Sequence, residues 1–185
     1  STDTGTLLLR SDNNNTLGAI YIVRDPRKIV SSLSHHYQIS DIEAFEFMNT
    51  ENKAIFEKIE NRYLGFNALF TWQFHINSWV KCEKFPVLTI RYEDLENETF
   101  ITLKKVFEFI KRISKMSISF DREKAKKTIK SCQFKIMQKL ESENGFEESM
   151  INKKTKEKLK FFNFGNKNKY QELLDKELIL SLIHI

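Results

Sequence analysis

Apolar positions recur along this chain in two rhythms: short unbroken runs and helical stripes. Ala19-Ile20-Tyr21-Ile22-Val23 is a run rich in β-branched residues with no polar interruption, which predicts a strand buried on both faces. Arg24-Asp25-Pro26 follows directly. Asp25 suits an N-cap and Pro26 the first helical position, so a helix is expected from here to about Tyr37. Ser40-Asp41 opens a second helical stripe carried by Ile42, Phe45, Phe47 and Met48, which extends toward Ile59. A third spans about 66–82, with Leu69, Trp72, Ile76, Trp79 and Val80 on one face. Pro86 then precedes Val87-Leu88-Thr89-Ile90, a second run of the kind found in parallel sheets. Beyond Tyr92-Glu93-Asp94-Leu95, an amphipathic helix is predicted over 99–113, where Phe100, Leu103, Val106, Phe107 and Ile110 recur at helical spacing. Residues 121–143 read as two short helices broken near Cys132. Residues 144–168 read as a polar loop, and a last helix starts near Lys169. Residues 1–17 are polar and irregular.

Two strand-like runs separated by helical stripes predict an α/β fold, a parallel sheet flanked by helices, in a single domain of 1–185. Two strands are too few to bury both faces of such a sheet, so the expected sheet is incomplete and helix-rich, with further strands before residue 1. Both ends read as cut: the chain does not begin with Met, and the apolar tail 178–185 has no polar finish.

Composition narrows this picture a little. Apolar residues make up 41% and include 16 Phe, enough for a packed core. With only 2 Pro and 5 Gly, long regular elements are favoured over a loop-rich barrel. The net charge of +5 suits an anionic partner, but the lysines alternate with Glu over many helices and read mostly as a solvated surface; no nucleic-acid partner is expected. Cys82 and Cys132 show no metal or disulfide spacing, so a reducing, cytoplasmic setting and no metal are expected. No run of about 18 apolar residues occurs, so no membrane span is expected.

The strongest candidate chemistry lies in the turn after the first strand. A cation at the carboxyl end of a buried strand stands where α/β folds bind ligands. The following helix start adds N–H donors and partial positive charge. Arg24 offers a planar fork to a phosphate, and Ser32, eight residues on, offers a hydroxyl two turns into the helix. On spacing alone the alternative stays open: Arg24 paired with Asp25 at the surface and Ser32 facing solvent. Tyr92, at the second strand's end, suits either a purine contact or half-buried packing. His75 and Trp79 share a helix face and read as core-lining.

The stretch Ala19-Ile-Tyr-Ile-Val-Arg-Asp-Pro-Arg-Lys-Ile-Val-Ser-Ser-Leu-Ser-His-His-Tyr37 resembles the 3′-phosphate-binding motif of the sulfotransferases that use 3′-phosphoadenosine 5′-phosphosulfate (PAPS), in particular bacterial members related to the cytosolic enzymes. The resemblance implies that Arg24 and Ser32 bind the 3′-phosphate. Thr71–Trp79 followed by Pro86–Leu95, ending in Tyr-Glu-Asp-Leu, is similar to a second family segment and implies that Tyr92 contacts the adenine. Ser131-Cys-Gln-Phe-Lys-Ile-Met137 resembles a third, in which Phe134 would pack on the adenine, with Cys132 and Gln133 replacing small hydroxyl residues. Phe161-Phe-Asn-Phe-Gly165 aligns with the family's Phe-Phe-Arg-Lys-Gly loop. Gly165 would offer its N–H, but Asn163 and Phe164 stand where a cationic clamp is usual, leaving Lys167 or Lys169 to compensate. Losing such a charge-assisted contact costs about 1.5–3 kcal/mol.

The resemblance covers 17–178, matches 1–16 poorly, and implies a P-loop-NTPase-like sheet. It implies that the protein transfers a sulfuryl group from PAPS to an acceptor hydroxyl or amine and releases 3′,5′-adenosine diphosphate. The acceptor, a small molecule or a glycan, and the oligomeric state are not legible. The family's phosphosulfate loop and Lys-Thr-His segment have no counterpart here, so no catalytic residue is assigned and these 185 residues alone are expected to be inactive. His35 and His36 read as surface residues. Two rivals remain: a P-loop nucleotide kinase relative, and a non-catalytic nucleotide-binding or interaction protein, which the Asn163-Phe164 pair favours.

Overall fold

The computed structural model describes residues 15–59, 62–152, 154–163, 165 and 168–183, with the backbone alone for 56–59 and 62–66. Strand β1 (Ala19–Val23) pairs in parallel with β4 (Val87–Arg91). Their register runs from Ala19 opposite Val87 to Val23 opposite Arg91. The two strands therefore end side by side at one edge. Where they begin, Gly18 lets the chains close up: a Cβ there would meet the Pro86 carbonyl oxygen at 2.9 Å and Ile113 Cδ1 at 3.0 Å. The Ala19 N–H donates to that same carbonyl at 3.0 Å.

Helix α1 (Pro26–Tyr37) starts as its capping residues dictate. Asp25 Oδ1 accepts from the Arg27 N–H at 3.0 Å, and the same carboxylate takes the Arg27 side chain in two bonds of 2.8 and 2.7 Å. Burial pulls the Asp25 carboxyl upward, but the Arg27 hydrogen bonds and charge outweigh it and hold the carboxyl below the usual carboxylate range. The Arg27 guanidinium in turn lies 4.4 Å over the Tyr170 ring, which ties the C-terminal part of the chain to the start of α1. Helix α2 (Asp41–Asn49) opens with a capping box between Ser40 and Glu43.

The structure departs from the expected elements after α2. The helix ends at Asn49, and a hairpin of β2 (Ala54–Ile59) and β3 (Arg62–Ala68) follows, antiparallel, with an irregularity between Glu57 and Lys58. The predicted helix over 66–82 is shorter: α3 (Trp72–Val80) starts where Thr71 Oγ1 accepts from the Phe74 N–H at 3.1 Å. Within α2 the core positions are Ala44 and Met48, while Ile42 is 64% exposed. Tyr92-Glu93-Asp94-Leu95 forms a short helix of its own, α4 (Tyr92–Asn97), which the sequence pattern does not predict; α5 (Thr99–Ser114), α6 (Arg122–Ser131) and α7 (Phe134–Asn144) fall close to expectation, and the expected last helix is divided into α8 (Tyr170–Leu173) and α9 (Lys176–Ser181).

β1 is not buried on both faces as its composition predicts. Tyr21 stacks on Trp79 of α3, with ring centroids 5.6 Å apart, but Ile20 and Ile22 are 41% and 51% exposed. Among the described residues β1 has a single partner strand, so one edge is open and too few neighbours stand over alternate side chains. The main core lies elsewhere: Val30, Ala44, Met48, Leu174 and Leu182 bring α1, α2 and the C-terminal helices together.

Removing the Asp25 carboxylate deletes both the helix cap and the anchor of Arg27. Asp25→Ala is expected to lower unfolding stability by about 1–2 kcal/mol at neutral pH, read by urea denaturation. A depressed carboxyl contributes stability above its unfolded-state pKa and loses it as pH falls through its lower folded value. The gap between wild type and variant should therefore be full at pH 7 and close below the ordinary carboxylate range.

Candidate functional site

Parallel pairing decides which residues meet at the carboxyl edge of the sheet. Arg24 follows the last residue of β1, Tyr92 follows the last residue of β4, and those last residues are register partners. The Arg24 guanidinium lies over the Tyr92 ring, with Cζ 4.3 Å from its centroid. Glu93 fastens the same corner from α4: its Oε1 accepts from the Asp25 N–H at 3.4 Å and sits 3.8 Å from Lys28 Nζ. The surface pairing of Arg24 with Asp25 is not what the structure shows. Asp25 is taken by Arg27, and Arg24 Nε is buried with no hydrogen-bond partner among the described residues. A buried donor left unpaired is costly, typically about 1–3 kcal/mol, and more when charged.

This corner opens into a cleft of about 1080 Å³ lined by Arg24, Ser32, Tyr92, Phe134 and Gly165 together. All five sequence candidates thus converge, although they come from α1, from the ends of both parallel strands, from α7 and from the C-terminal loop. Ser32 Oγ donates to the Lys28 carbonyl at 2.9 Å. Phe134, the first residue of α7, presses its ring against Gly165: a Cβ on Gly165 would meet ring atoms at 2.7–2.9 Å. Gly165 also has φ +52°, where a side chain is strained.

The opposite wall is built from α7. Glu141 accepts from the Phe161 and Phe162 N–H groups at 2.6 and 3.0 Å, and Gln138 donates to the Phe162 carbonyl at 2.8 Å. Phe146, Phe161 and Phe162 close ranks there as an aromatic cluster, and His36 meets Phe161 edge-on.

His35 and His36 are cleft residues rather than surface ones. His35 Nε2 is 3.3 Å from the Lys160 carbonyl, which can only accept, so Nε2 carries the proton. The amide of Asn163, 3.3 Å from Nδ1, then donates to the other ring nitrogen. Asn163 therefore presents a neutral amide where the resembled loop has a cation. Lys169 is not among the residues that line the cleft; its ammonium pairs with Glu172 at 2.9 Å in an exposed setting. Lys160 is a lysine of the cleft wall that sequence reasoning missed; Phe164 and Lys167 lie outside the described residues. His75 lies away from the cleft, as expected of a packing residue. It is hydrogen-bonded to the Tyr21 hydroxyl at 3.1 Å, and burial pushes its pKa down and that of Tyr21 up.

A parallel strand pair whose carboxyl ends hold a guanidinium and an aromatic ring beside an open cleft, with a hydroxyl from the following helix, defines an α/β domain with a cleft at the place where such folds hold ligands. The chain matches the sulfotransferase-domain family model over residues 6–183 and belongs to that family. It is similar to a luciferin sulfotransferase of Photinus pyralis, 23% identical over 164 residues, which is 87% of this chain and 41% of that protein. The chain thus spans less than half the length of this curated relative. Among the described residues, no helix is long and apolar enough to cross a membrane.

The contact between Gly165 and Phe134 gives a direct test of the cleft floor. Gly165→Ala should lower the melting temperature by an amount equivalent to about 2 kcal/mol or more, since backbone strain and ring clash act together. Phe134→Ala in the same chain should recover the clash component. A fully additive double variant would show that the two residues do not touch.

Proposed function

We propose that this domain takes PAPS in the cleft, with Arg24 and Ser32 on the 3′-phosphate, Tyr92 and Phe134 at the adenine, and the Gly165 N–H as a further donor. The protein to which it belongs then transfers the sulfuryl group to an acceptor hydroxyl or amine. The observation that carries this reading is the buried, unpaired Nε of Arg24 at the cleft. Among the described residues nothing uses that donor, and a phosphate dianion is the partner for which a guanidinium fork is built.

The residues fit the nucleotide in kind. The positive charge sits on the Tyr92 ring, which fixes the plane of the guanidinium before any ligand arrives and so reduces the ordering cost of binding. Phe134 presents an apolar surface suited to stacking with a purine. The family relationship supports the reaction class, and the Tyr-Glu-Asp-Leu and Arg24/Ser32 motifs support the donor. PAPS supplies an activated sulfuryl group. Its transfer calls for a base at the acceptor and positive charge at the leaving phosphate. The phosphosulfate loop and Lys-Thr-His segment that do this work in the resembled family have no counterpart in this sequence, and His35 in the cleft is engaged by the Lys160 carbonyl and the Asn163 amide, so in this reading these 185 residues bind nucleotide without turning it over. Asn163 in place of a cation predicts weaker affinity than a fully charged clamp would give.

Two measurements test the proposal. By titration calorimetry, 3′,5′-adenosine diphosphate should bind, adenosine 5′-monophosphate should bind at least tenfold more weakly, and Arg24→Ala should abolish that preference. Equal affinity for the two nucleotides in the wild-type protein would refute the assignment. Radiolabelled sulfate transfer from PAPS to phenolic and amine acceptors should stay at background for the purified 185-residue chain; measurable turnover would disprove the division of labour.

A further inference from the structure

Beneath the cleft lies a polar knot that the nucleotide contacts above do not use. Asn168 and Ser31 are 3% and 4% exposed. Ser31 Oγ donates to Asn168 Oδ1 at 2.7 Å. Asn168 Nδ2 donates to the Lys28 carbonyl at 3.0 Å and to Ser32 Oγ at 3.3 Å. Two of these contacts settle which end of the amide is which. The Lys28 carbonyl can only accept, so it must face Nδ2, and the Ser31 hydroxyl then meets Oδ1. Both Asn168 N–H donors are spent, as a buried amide requires.

This geometry has a consequence for Ser32. Its oxygen already receives a proton from Asn168, so the one proton of its own must point elsewhere. It points to the Lys28 carbonyl, at 2.9 Å. That carbonyl also takes the Asn168 amide, with Ser31 Oγ at 3.1 Å. When the Ser32 proton swings away to an anion, the carbonyl keeps its amide partner and no buried group is stranded. The same residue anchors the loop at the cleft floor, because the Asn168 N–H donates to the Gly165 carbonyl at 3.3 Å.

We propose that Asn168 is the positioning residue of the anion site: by donating to Ser32 Oγ it keeps that hydroxyl a donor toward the 3′-phosphate, and it joins helix α1 to the Gly165 loop. This rests on the nucleotide reading of the cleft. Asn168→Asp preserves shape and still accepts from Ser31, but it offers Ser32 an acceptor instead of a donor and so draws the Ser32 proton inward.

The test is a double-mutant cycle on the protein, with affinities for 3′,5′-adenosine diphosphate and for adenosine 5′-monophosphate measured in each variant. Asn168→Asp should reduce the preference for the 3′-phosphorylated nucleotide about tenfold. In a Ser32→Ala background the reduction should largely disappear. A through-space effect of the new carboxylate survives loss of Ser32 and therefore cancels from the cycle. Adenosine 5′-monophosphate affinity reports an intact fold, and should hold. If Asn168→Asp does not fold, Ser31→Ala loosens the amide from its other end and should show a smaller loss of preference, again dependent on Ser32. An unchanged preference, or an equal loss with and without Ser32, overturns the positioning role. A wild-type protein with no preference, or one whose preference survives Arg24→Ala, overturns the nucleotide reading and this inference with it.

Discussion

Parallel pairing of β1 with β4 is the constraint on which the site depends. Parallel strands send both carboxyl ends to one edge, and the observed register makes Val23 and Arg91 direct neighbours. The next residue along each chain is Arg24 or Tyr92, so a guanidinium and an aromatic ring, 68 positions apart in sequence, are set face to face with Cζ 4.3 Å from the ring centroid. A slip in register would separate them and turn the alternate side chains of β1 to the other face. Glu93 and Asp25 then hold the two outgoing helices together. The charge of Arg24 is kept from internal neutralisation because its nearest carboxylate in sequence is occupied by Arg27.

The rest of the cleft is brought to that corner by elements late in the chain. The C-terminal loop reaches α1 through polar contacts from Asn168 and Asn163 as well as the edge-on packing of His36 against Phe161. The polar contacts are directional, so they fix hydroxyl and amide orientation as well as position. Helix α7 contributes Phe134 from its first turn and fastens the facing wall with Gln138 and Glu141. One side of the site is therefore a rigid strand–helix junction and the other a loop pinned at several points. This suits a fixed anion contact beside an aromatic wall.

Much of this was legible in the sequence where local chemistry decides. The boundary between β1 and α1 follows from Asp25 and Pro26. Arg24, Ser32, Tyr92, Phe134 and Gly165 were each marked by motif, and they line one cleft. What escaped was decided by distant partners. The hairpin over 54–68 carries Glu57-Lys58 and Arg62 inside its apolar positions and Gly65 in its second strand, so no clean alternation marks it and cross-strand pairing sets its form. Asn168 is one polar residue in a polar loop until its burial is known. His35 reads as a surface residue on a helix until the 160–163 segment is laid over it. The exposure of Ile20 and Ile22 depends on which strands flank β1, which its own five residues do not encode.

The central claim is that the buried Nε–H of Arg24 is reserved for a phosphate at the 3′ position of the nucleotide. It is tested most directly by following the side-chain ¹⁵N–¹H resonance of Arg24 during nucleotide titrations. Addition of 3′,5′-adenosine diphosphate should move that resonance downfield and slow its exchange with water, saturating with binding, while adenosine 5′-monophosphate leaves it in place. A resonance that stays unmoved while 3′,5′-adenosine diphosphate saturates the protein would contradict the account.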